Sequence, residues 1–190
     1  KYRHNKAVHP DVSDNICKRL NASRETYSVQ EDRTATLNTM RRDLLPEILT
    51  TCLPLLKQHS VDAIEVTFSG SGDDGSFDNL DFYDKHGTYM DGTLVIRELR
   101  VNVPTVEMLN GTPTLVRVDT TLEKALFEAI ADYAQDRVKI DWYNNSGGGG
   151  RFQFYVNKET ARLSAYYTSE EEVHGNDVEW DLSNPDLLET

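Results

Sequence analysis

The chain has 190 residues, a formal charge of −12 and an apolar content of 38%. That length suffices for one domain with a real core, plus an arm. No apolar run approaches the roughly 18 residues of a membrane span, so no membrane contact is expected.

Two cysteines, Cys17 and Cys52, are too few for a disulfide framework and lack metal-ligand spacing. Cys52 lies in an apolar run and reads as a buried thiol, and the compartment as the cytoplasm. The glycosylation-like triplets at Asn21, Asn110 and Asn144 read as coincidence. Charge is uneven: residues 1–42 hold nine Lys/Arg against five Asp/Glu, or +4, and residues 43–190 hold eleven against twenty-seven, or −16. Such an acidic body is repelled by nucleic-acid phosphate and attracts basic partners or cations.

Residues 1–34 show no sustained apolar period and read as a poorly packed, mildly basic arm, with a short helix possible around Asp14 to Leu20. Residues 35–182 read as one domain and 183–190 as a flexible acidic tail. From Met40 to Leu56 the apolar spacing is helical. Pro46 either occupies the first turn of a helix starting near Leu45 or kinks a longer one. Ile64, Val66 and Phe68 then alternate with Glu65 and Thr67, as a strand with one dry face does. Gly70 to Gly75 holds three glycines and no apolar residue, which predicts a loop. Leu80 and Phe82 resume the alternation.

A long strand is expected from Thr93 to Val103, with Val95, Leu99, Val101 and Val103 on one face, Ile96 outward, and Pro104 ending it. A short strand is expected around Leu115 to Val118. Thr120 with Glu123 reads as a capping box opening a helix through about Arg137. Asn144 to Gly150 reads as a second glycine loop. Strands follow at Arg151–Val156 and around Leu163–Tyr167, then an edge strand around Val178–Leu182. Helix, strand, glycine loop and strand thus occur twice. The expected fold is α+β: an antiparallel sheet built from two hairpins, with two main helices packed on one face.

Ser69 to Ser76, with its G-x-G-D-D-G core, resembles a loop of an uncharacterised bacterial, plasmid and phage family, a domain of unknown function. The run Asp141-Trp142-Tyr143-Asn144-Asn145 before glycines, the Phe152 to Val156 strand, and Thr168 with acidic residues up to His174 resemble it as well. The resemblance covers roughly residues 45 to 181. It implies a small acidic protein of a mobile genetic element and no particular reaction. Ser146 stands where that family usually has an aspartate, and the basic arm and residues 85–118 lie outside the pattern.

Asp73 and Asp74, with Asp78, Asp81 and Asp84 nearby, are the residues that would hold a hard cation, although the spacing is not that of an EF-hand. On regular strands Asp78, Asp81 and Asp84 would not all point one way. The paired carboxylates that hydrolysis would need are available in Asp73, Asp74, Asp141 and Glu171. There is no G-x-S-x-G elbow and no H-E-x-x-H. Phosphate binding is disfavoured by the two loop aspartates. Trp142, Tyr143, Tyr155, Tyr166, Tyr167 and Trp180 suit a protein-binding surface. The expectation is therefore a non-catalytic interaction protein without cofactor, binding a basic, nucleic-acid-handling protein. Its expected binding residues are Asp73, Asp74, Asp78, Trp142, Asn144, Asn145, Tyr155, Glu170, Glu171 and Glu172. The alternative is a metal-assisted hydrolase using Asp73 and Asp74. Oligomeric state is left open, a homodimer included.

Overall fold

The computed structural model describes residues 30–90, 94–138, 140–144, 146–168 and 173–182. The fold is α+β. One antiparallel sheet has the order β2-β1-β5-β6-β7, and a separate two-stranded sheet pairs β3 with β4. The strands are β1 (Ala63–Ser71), β2 (Asp74–Tyr83), β3 (Arg100–Leu109), β4 (Thr112–Thr121), β5 (Gly148–Tyr155), β6 (Thr160–Thr168) and β7 (Val173–Asp181). The helices are α1 (30–42), α2 (Leu45–Gln58), the single turn α3 (Leu94–Arg97) and α4 (Leu122–Arg137).

Alternating residues of the sheet, among them Ile64, Val66, Phe68, Leu80, Phe82, Phe152, Phe154 and Leu163, are buried on one face. They share a core with Leu45, Leu49, Cys52 and Leu56 of α2 and with Leu122, Leu126, Ile130 and Tyr133 of α4. The opposite face is polar: Glu65 lies between Gln153 (2.6 Å) and Tyr83, and Arg162 pairs with Asp177 (2.9 Å). The two helix-and-hairpin units thus meet at β1 and β5, antiparallel in the middle of the sheet. Burial pushes the Cys52 thiol up to about 12, consistent with an inert core position.

Pro46 falls in the first turn of α2, where its missing N–H costs nothing. The apolar run from Met40 is therefore divided between two helices, broken at Asp43–Leu44. α1 crosses the boundary at 34/35 drawn from sequence, and residues 30–36 are exposed. The short helix expected around Asp14 to Leu20 and the tail 183–190 lie outside the described residues.

Several expectations need correction. The first loop shrinks to Gly72–Asp73, because Gly70 pairs with Gly75 and Ser71 with Asp74. Gly148, Gly149 and Gly150 are strand residues of β5, hydrogen-bonded in register between β1 and β6. The expected strand from Thr93 is instead α3 followed by β3, so Ile96 is buried and Val95 is 69% exposed. Pro104 lies inside β3, opposite Arg117. A two-stranded ladder leaves one side of each strand unpaired, which is where a proline can sit. The expected short strand is the full-length β4, joined to β3 by Asn110–Gly111, both at positive φ (51° and 76°). The cap of α4 is Thr121, whose hydroxyl accepts from Lys124 N at 3.3 Å. Glu123 turns away to pair with Arg97.

Candidate functional site

The β1–β2 hairpin turns at Gly72 (φ 62°) and Asp73 (φ 74°), a left-handed pair that glycine and aspartate tolerate. Beneath the tip runs the segment 140–144. A Cβ on Gly75 would meet Trp142 Cζ3 at 2.7 Å and Tyr143 Cβ at 2.8 Å, so the glycine lets this loop lie against bare backbone. Asp73 N donates to Tyr143 O at 3.1 Å and fastens the turn to it. The Trp142 ring packs edge-on against Phe68 (4.9 Å), Phe77 (5.8 Å) and Tyr143 (5.3 Å) and is only 5% exposed. Asp141 closes the loop by accepting from Asn144 N (3.3 Å) and Asn144 Nδ2 (2.8 Å).

Between this loop, the inner side of β2 and α4 lies a groove of about 840 Å³. Asp73, Asp74 and Asp141 stand at its rim, and Phe77, Phe127 and Ile140 line it with Trp142. Neither the Asp73 nor the Asp74 side chain has a hydrogen bond or ion pair among the described residues, and both residues are exposed. An unneutralised anionic rim above an aromatic floor suits a cationic side chain. Apolar groups can pack on the rings while cationic head groups meet the carboxylates.

The structure thus brings Asp73, Asp74, Trp142 and Asn144 to the groove, with Trp142 as buried floor, Asn144 held by Asp141, and the Asp74 side chain leaving the rim toward the outer face. It separates the others. Asp78 accepts from Thr67 Oγ1 (2.8 Å) on the outer face. Tyr155 is at the far end of β5 on that same face, its ring 5.3 Å from Lys158 Nζ and its hydroxyl donating to Gln153 Oε1 (3.4 Å). Asn145, Glu170, Glu171, Glu172 and the Trp180 side chain lie outside what the structure describes. Sequence reasoning missed Phe77, Phe127 and Ile140. Phe127 carried a signal, being an apolar residue off the buried stripe of α4.

A β-bulge changes how the acidic residues of β2 are arranged. Val66 pairs with Leu80 but Phe68 with Phe77, so Asp78 and Asn79 together oppose Thr67. The extra residue brings Asp78 to the same outer face as Asp74 and Asp81, which a regular strand would not. Asp84 instead accepts from the His86 and Thr88 amides (2.8 and 2.9 Å), bonds that hold its carboxyl below the usual range. A second cavity, about 490 Å³, lies between β3–β4 and α4 beside Arg41 and Asp132. Burial raises the Asp132 carboxyl, opposed by Arg41. Among the described residues, no three His, Cys, Asp or Glu side chains converge as a metal ion requires. No helix among them is long and apolar enough to cross a membrane.

Residues 44–175 match a Family of unknown function (DUF6878). The chain belongs to this family. The matched span contains both walls of the groove and runs across residues 85–118, which the motif resemblance had set aside. No curated protein and no solved structure matches the chain.

Proposed function

We propose that the protein is a non-catalytic adaptor or modulator that captures a basic protein through the groove under the β1–β2 hairpin. The observation that carries this reading is the pairing of an unneutralised rim, Asp73 and Asp74, with the aromatic floor of Phe77, Phe127 and Trp142. The −16 carried by residues 43–190 supports it, since such a field steers basic partners and repels nucleic acid itself. The resemblance of the two glycine-rich motifs to those of plasmid and phage proteins sets the proposed context. In it, a mobile-element protein docks on a basic host or element protein that handles nucleic acid.

The test is a displayed peptide library screened with the wild-type chain and with the D73N/D74N variant. The wild type should enrich peptides containing Lys or Arg, and the variant should lose roughly tenfold or more in affinity for them. Selection without basic enrichment would contradict the reading. A melting temperature raised by Ca²⁺, Mg²⁺ or Mn²⁺ would favour metal-assisted hydrolysis at Asp73 and Asp74 instead.

A further inference from the structure

β2 is an edge strand. It pairs with β1 on one side, and among the described residues no strand lies on its other side. Among the described residues, only the C-terminal end of that free edge is covered: Met90 N donates to Phe82 O at 2.9 Å, and Tyr89 bridges Tyr83. Tyr83 O, by contrast, faces back and accepts from Asp62 N at 2.8 Å. Alternation from these two bonds turns the Leu80 amide and carbonyl outward, and the bulge at Asp78–Asn79 resets the parity to Phe77 and Gly75. Gly75, Ser76 and Phe77 also line the groove, so open backbone and groove are contiguous.

The other edge of the sheet differs. On β7 the carboxylates of Asp177 and Glu179 both reach Arg162, at 2.9 and 3.5 Å, and share its one positive charge within the fold. On β2, among the described residues, Asp74 has no side-chain partner, Asp78 only the neutral Thr67 hydroxyl, and Asp81 only Arg97 at 3.9 Å. A second copy adding through the same edge would set these aspartates against one another. The unpaired edge therefore matches an extended segment with positive charge at every second position.

We propose that the partner binds by strand addition: an extended basic segment extends the sheet along Asp74–Leu80. Its Lys or Arg side chains lie over Asp74, Asp78 and Asp81 on the outer face, and the intervening apolar residues enter the groove toward Phe77 and Phe127. Backbone bonds supply affinity, and the alternating pattern supplies specificity. The inference rests on the groove reading above and adds the geometry of capture.

The test uses an acetylated, amidated heptapeptide alternating lysine and valine, and two versions N-methylated at either the lysine or the valine amides. Charge fixes which face the lysines take, so only one set of amides points at β2. One methylated version should lose roughly tenfold or more in affinity while the other stays within about twofold. Amide exchange should also slow at Gly75, Phe77 and Leu80. Equal binding by all three peptides, still weakened by D73N/D74N, would overturn strand addition and leave the groove reading standing. Failure of the heptapeptide to bind, while the library yields basic ligands, would do the same. An edge already protected in the free protein, with a dimer in sedimentation, would overturn it in favour of a second copy.

Discussion

Removing the Trp142 ring would leave Phe68 and Phe77 facing a void under a hairpin whose glycines offer nothing to fill it. Trp142→Ala should therefore cost about 3–5 kcal/mol in urea denaturation, the range for deleting a large buried aromatic. D73N/D74N should change stability by less than about 0.5 kcal/mol, since both residues are exposed and Asn tolerates the left-handed turn. A loss of several kcal/mol in the double variant would mean that the pair holds an ion or buried hydrogen bonds. Asp132 behaves differently. Burial raises its carboxyl, so the fold favours the protonated form. The contribution to stability is complete below the ordinary aspartate range and is lost as pH rises through the raised value. Asp132→Asn should raise the melting temperature by about 1–3 °C at pH 7, a figure discounted for partial exposure, with no gain near about pH 3. A gain independent of pH would show that ionisation of Asp132 is not its cause.

Among the elements, the hairpin β1–β2 and the loop beneath it act as one unit. Gly75→Ala would drive a methyl group into Trp142 and Tyr143 and should destabilise by about 1–3 kcal/mol through overpacking. It should also weaken binding of basic peptides by lifting the tip from the groove; unchanged stability and binding would disprove the close packing. Elements with strong periodicity were legible in the sequence: β1, α4 and the return strand β6 stand where their apolar spacing put them. The glycine segments were not, because Gly148–Gly150 have no side chains to alternate and are strand only by pairing with β1 and β6. The Asn110–Gly111 pair is a legible turn signal, but Pro104 reads as a strand end, so β3 runs past the expected stop. The groove itself was half legible. Its aspartates and tryptophan stood in marked motifs, whereas Phe127 joins them from α4 only through tertiary packing.

For the whole molecule, the acidic surface and the two sheet edges set which partners can approach. On β7, Asp177 and Glu179 share Arg162, whereas β2 presents its acids beside an open backbone and a groove. Under the proposed function this side receives positive charge, and long-range attraction should govern encounter. The most direct measurement is the affinity of the lysine–valine heptapeptide for wild type and for D73N/D74N across about 50 to 500 mM salt. The account predicts a steep fall with salt for wild type, and a weaker, shallower dependence for the variant. Binding flat across that range and identical in the two proteins would contradict it.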